Sequence, residues 1–119
     1  MKCLVVGAGG FIGAVLRYVI GLLPYESGSG FPVKTFCINV FGAFAIGIVA
    51  ALAQKHSLDP RFVLFLKVGI CGGFTTFSSF ALETDALISR GAFVTAVLYA
   101  VFSVVFGVLA VFAAQRLWG

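Results

Sequence analysis

"GICGGFTTFSSFALE" occupies residues 69–83 of a 119-residue chain, and its reading decides the rest. The stretch follows a hydrophobic run and is itself mostly apolar. Yet it holds three glycines (Gly69, Gly72, Gly73), four hydroxyls (Thr75, Thr76, Ser78, Ser79) and three phenylalanines at intervals of three (Phe74, Phe77, Phe80). Paired glycines followed by threonines and serines make a poor continuous helix. In a bilayer a broken helix is tolerated only where its freed backbone is buried in protein or lines a cavity. Half-helix ends then present carbonyls to cations and N–H groups to anions. A merely kinked packing helix is the plainer alternative.

The composition puts this stretch in a membrane. Hydrophobic residues make up 61% of the chain and charged ones 10%, with a mean hydropathy of +1.16. A soluble domain carries about a quarter charged residues to face water. A crossing helix takes ~20 apolar residues. Four spans therefore fill the length, at about 3–23, 34–54, 61–88 and 91–116. The expected fold class is an all-α integral membrane protein, a single four-helix transmembrane domain with a broken third helix. The first apolar stretch runs on to Leu23 with no small-residue cleavage site after a short core, so it reads as a span and not as a removable signal.

Short loops punctuate the spans. "PYESGSGFP" (24–32) carries turn formers, "QKHSLDPR" (54–61) places Pro60 where a new helix starts, and "SRG" (89–91) is a tight link. Lys2, Lys55, Arg61 and Arg116 flank the spans on the N-terminal side, with Lys67 inside a span. Lys34, Arg90 and Arg17 lie toward the other side. That near-balance is a weak positive-inside signal, and a small protein with so weak a signal can insert both ways. The net charge of +4 is scattered, which argues against a nucleic-acid surface. Cys3, Cys37 and Cys71 are odd in number and lie in or beside apolar runs, which predicts free thiols.

Helix-packing residues repeat at intervals of four, most of them small: Gly9 and Gly13, followed by Arg17; Ala43, Gly47 and Ala51; and Ser103 and Gly107, preceded by Tyr99. Such spacing lets helix backbones approach closely in lipid. The glycines of "VVGAGGFIG" (5–13) imitate a dinucleotide-binding turn, but they interrupt a continuous membrane run where packing is the better reading. Arg17 either faces a partner or watery cavity, or snorkels to the headgroups. Asn39, with Thr35 one turn earlier on the same face, is either an interhelical hydrogen-bonding residue or a pore donor. Glu83 and Asp85 come near the end of the third span, and the other spans hold no acid. No metal-ligand cluster, nucleophile–base pair or phosphate loop appears, so no enzyme is expected.

"GGFIGAVLRY" (9–18), "TFCINVFGAFAIG" (35–47) and "GGFTTFSSFALE" (72–83), in this order in a four-span chain, resemble the Fluc fluoride channels, also called CrcB-like proteins. The match covers nearly the whole chain. Ser79 and Ala81 stand where the family often has Thr and Ser. The resemblance implies an antiparallel, dual-topology homodimer in the inner membrane of a prokaryotic cell, with two fluoride pores. It implies a structural sodium ion on the central axis, held by backbone carbonyls at Gly72 and Thr75. Asn39, Phe77 and Phe80 correspond to its pore residues, Tyr99 and Ser103 to its fourth-helix positions. Arg17 and Glu83 are given vestibule or structural roles.

The chemistry agrees with the resemblance. Fluoride is small and strongly hydrated, so a pore must replace its water with donors without binding too tightly. The hydroxyls of Thr35, Ser78 and Ser79 and the Asn39 amide can donate. Phenylalanine has a positive ring edge that can face an anion. The runner-up is a small multidrug-type proton-coupled exporter, whose discriminating feature, a carboxylate in the first span, is absent.

Overall fold

A computed structural model describes residues 1–119, and it is entirely helical. Helix α1 spans Lys2–Gly21 and α2 spans Val33–Lys55. The third span is interrupted: α3 covers residues 60–74, and α4 covers Phe77–Ser89. Helix α5 runs Phe93–Trp118. Four helical segments are thus long and apolar enough to cross a membrane, each within three residues of its expected bounds. The longest dimension, 50 Å, exceeds the ~40–45 Å of a bilayer with its headgroups.

The helices pack mainly as two couples, α1 with α3 and α2 with α5. Glycines set the first. A methyl on Gly13 would lie 2.7 Å from the Phe74 backbone nitrogen, and one on Gly73 would lie 2.6 Å from the Gly10 carbonyl oxygen. Gly9 approaches Gly69 in the same way, with 2.8 Å to its Cα. These backbones nearly touch, as small residues permit in lipid. Between Leu64 and Cys71 α3 is wound as a π-helix, along the surface that α1 covers. In the second couple, a methyl on Gly47 would meet the Ala114 Cβ at 2.7 Å, and Gln115 Nε2 donates to the Gly47 carbonyl at 2.9 Å. The expected stripe Ala43–Gly47–Ala51 thus faces α5. Gly107, from the third stripe, has no atom within 4 Å of where its methyl would be.

Only 13 of the 119 residues are buried, and large apolar side chains are exposed along every helix that can cross a membrane. The one tight cluster, Leu87, Ala96 and Tyr99, lies where α4 and α5 meet, with Phe31, Phe36, Phe80 and Ala92 packed on it. The cysteines are free.

Candidate functional site

The interruption of the third span falls at Thr75–Thr76, two residues after the glycines to which the sequence points. Gly72 is helical (φ −65°, ψ −38°), whereas Thr75 (φ −78°, ψ 155°) and Thr76 (φ −148°, ψ 115°) are extended. Gly73 is needed for the approach of α1, Gly72 meets only the Lys67 carbonyl of its own helix at 3.9 Å, and both keep helical backbone. β-branched threonines accept extended dihedrals readily.

Each freed group at the break has a particular fate. The Asn39 side chain clasps Thr76: Nδ2 donates to the Thr76 carbonyl at 3.0 Å, and Oδ1 accepts the Thr76 N–H at 2.7 Å. Thr76 Oγ1 caps α4 by accepting from Ser79 N at 3.1 Å. Thr75 N and Thr75 Oγ1 both donate back to the Cys71 carbonyl, at 3.0 and 2.9 Å. Arg17 Nε donates to the Gly73 carbonyl at 3.3 Å, so this part-buried cation meets the negative end of α3. Of the two readings of Arg17, the structure therefore supports the partnered one.

The carbonyls of Gly72 and Thr75 keep a different status. In a continuous helix Gly72 O would accept from Thr76 N, and Thr75 O from Ser79 N. Those donors are committed to Asn39 and to Thr76 Oγ1. Two backbone oxygens are thus released at one break, the donor set that a hard monovalent cation takes from an unwound helix. The residues fit the sodium ion that the resemblance implies.

Two cavities meet at the break, and Thr76 lines both. The larger, about 580 Å³, is a polar vestibule with Arg17, Lys34, Arg90, Thr35, Ser79 and Glu83 in its wall. Three cations there face two carboxylates, Glu26 and Glu83, a balance that favours entry of an anion. The smaller, about 350 Å³, is a mainly apolar groove walled by Asn39, Thr75, Phe77, Phe80 and Ser103, with Cys71. Phe77 is 79% exposed on its rim. Its ring centroid lies 5.7 Å from that of Phe80, which lies 5.0 Å from the Tyr99 ring.

The expected donors divide in an unexpected way. Thr35 Oγ1 donates to Glu83 Oε2 and Tyr99 OH donates to Glu83 Oε1, each at 2.8 Å. Those two hydroxyl protons are spent on the carboxylate. Glu83 is thereby the hub of a polar triad linking α2, α4 and α5. Ser78 Oγ lies 3.4 Å from Thr76 Oγ1. Ser103 Oγ is buried without any hydrogen-bond partner, a donor held free beside the two phenylalanines.

Sequence reasoning passed over Lys34 and Arg90 as site residues. Lys34 Nζ donates to the carbonyls of Gly21 and Leu23, at 3.0 and 3.1 Å, closing the end of α1. Arg90 donates to Gly30 O at 3.4 Å. A basic residue after a helix, matched to the carbonyls of that helix end, was the available signal. The capping role of Thr76, three residues before Ser79, was likewise legible.

Residues 4–115 match the family model described as CrcB-like protein, Camphor Resistance (CrcB). A protein from Shewanella pealeana named fluoride-specific ion channel FluC is 44% identical over 115 residues, covering 96% of this chain and 93% of that one. Proteins of the same name from Chlorobaculum tepidum and Thermus thermophilus are 43% and 44% identical over 119 residues. Those alignments cover 97% and 99% of this chain, and 94% and 95% of the relatives.

Proposed function

This chain belongs to the CrcB-like family, and from that membership we propose that it is a passive, fluoride-selective channel that lets fluoride leave a prokaryotic cytoplasm. The observation that carries the reading is the interrupted third span, with Phe77 and Phe80 directly after the break and Ser103 Oγ unpartnered beside them. Ring edges and a free hydroxyl offer a dehydrated anion weak positive poles without a full charge to trap it. The cationic vestibule gathers anions at the mouth.

Acid chemistry supplies the purpose. Hydrogen fluoride is neutral, enters from acidic surroundings and ionises in a near-neutral cytoplasm. The inside-negative potential then drives the anion outward, by about 2.3 kcal/mol per charge per 100 mV. A passive pathway suffices.

The working unit is a homodimer of two copies inserted antiparallel in the inner membrane. Its support is the 79% exposure of Phe77 on the rim of an open groove, the small buried fraction of the lone chain and the near-balanced basic residues. A sodium ion held by Gly72 O and Thr75 O would tie the two breaks together and place positive charge beside the anion route.

Fluoride efflux from liposomes tests the reading. Vesicles holding the purified protein and potassium fluoride, given a potassium ionophore, should release fluoride rapidly, and chloride-loaded ones should retain chloride. No release of fluoride, or equal release of both, would overturn it.

A further inference from the structure

The loop between α1 and α2, residues 22–32, drives one aromatic side chain into the protein. Phe31 packs edge-on against Tyr99, with centroids 5.3 Å apart and planes at 74°, and against Phe36 at 5.5 Å and 71°. A loop ring held this firmly needs fixed backbone, and the loop supplies it. Gly30 takes a left-handed conformation (φ +80°), its N–H donates to Ser27 O at 3.0 Å, and Arg90 holds its carbonyl. Phe31 N donates to Ser29 Oγ at 3.3 Å, and Val33 N donates to Phe31 O at 2.8 Å.

Phe31 also lines the vestibule, so one side of it meets the cavity while the other covers Tyr99. Tyr99 is 0% exposed and has two tasks: its hydroxyl donates to Glu83, and its ring packs on Phe80. Water reaching that hydroxyl would compete for its proton, and loss of the edge contact would free the ring.

We propose that Phe31 is a positioning residue for conduction: it seals Tyr99 from the vestibule and thereby holds Glu83 and Phe80 in their working places. This rests on the fluoride-channel reading. Phe31 lines the vestibule and not the groove that holds Phe77 and Ser103, so it acts on the pore through Tyr99.

The test is a double-mutant cycle on fluoride efflux from liposomes. Phe31→Ala should slow efflux by about tenfold, the upper range for a lost aromatic pair. Phe31→Tyr, which keeps the ring, should restore it. In a Tyr99→Leu background, Phe31→Ala should change the rate by no more than about twofold, because both the hydroxyl and the ring that it holds are already gone. Wild-type efflux in Phe31→Ala, or losses that multiply in the double variant, would overturn the proposal. Should Phe31→Ala fail to assemble, Phe31→Leu enters the same cycle with the same criteria. A second readout needs no flux: protein carrying 3-fluorotyrosine should show a shifted or broadened Tyr99 fluorine resonance in the Phe31 variant. An unchanged resonance would defeat the proposal. If wild-type protein moves no fluoride, the functional reading falls, and the resonance alone judges Phe31.

Discussion

The side-chain amide of Asn39 takes both backbone groups of Thr76, donating at 3.0 Å and accepting at 2.7 Å. An amide has the same donor–acceptor pair as a peptide group, so one residue of α2 replaces the helical neighbours that Thr76 gives up. The break in the third span is in this sense made by the second. The Asn39 amide has a second N–H beyond this clasp, and Asn39 lines the groove.

Asn39→Asp should therefore fail twice. Its carboxylate cannot donate to the Thr76 carbonyl, and it places a negative charge against an anion path. We expect efflux to be suppressed and thermal stability in detergent to fall by about 1–3 kcal/mol, the cost of an unsatisfied buried group. Efflux and stability near wild type would dismiss the clasp.

Phe77→Ile and Phe80→Ile keep bulk and hydrophobicity but lose the ring edge. Each should reduce fluoride efflux strongly while the protein still elutes at its native assembly size. Wild-type efflux in both would remove the rings from the mechanism.

Gly13→Ala places a methyl 2.7 Å from the Phe74 nitrogen, among backbone atoms that cannot rotate away. We expect a loss of about 1–3 kcal/mol in unfolding free energy from overpacking. Gly7→Ala meets nothing within 4 Å in the chain and should cost nothing, since alanine favours the helix. Equal melting temperatures for the two variants would contradict the α1–α3 packing described above.

Dual topology is tested by a reporter on the C-terminus, assayed from both sides of the membrane. The expected result is signal on both sides, because identical breaks can then meet on a two-fold axis. Signal from one side alone, with efflux retained, would defeat the antiparallel arrangement.

Passive conduction predicts that current in a planar bilayer reverses at the fluoride equilibrium potential. A pH gradient at fixed free fluoride should leave the reversal unchanged. Glu83 is linked through Tyr99 to Phe80 in the groove wall, and Thr35 and Tyr99 occupy one of its oxygens each. A reversal that tracks the proton gradient would instead identify Glu83 as a coupling site, a role that intramembrane carboxylates serve in transporters.

Hydropathy and length alone determined that four segments of this chain can cross a membrane, and the glycines and hydroxyls of the third marked it as the one to be broken. Those properties follow from local composition measured against a fixed bilayer thickness. The residue types of the site were legible for the same reason, since an amide, paired hydroxyls and spaced rings are conspicuous among aliphatic neighbours. Only the tertiary structure decided what each one does. Gly73, where a break was expected, is helical and packed against Gly10 of α1, Gly72 continues the same helix, and the break passes to Thr75 and Thr76. Thr35, offered as a pore donor, and Tyr99, offered as a fourth-helix pore position, give their protons to Glu83, 48 and 16 residues away in sequence. Asn39 meets Thr76 across 37 residues. Hydrogen-bond partners at such separations are chosen by which helix faces come together, and no local pattern carries that information. Phe31 makes the same point from a loop, where neither period nor propensity marks a ring that will be held inside.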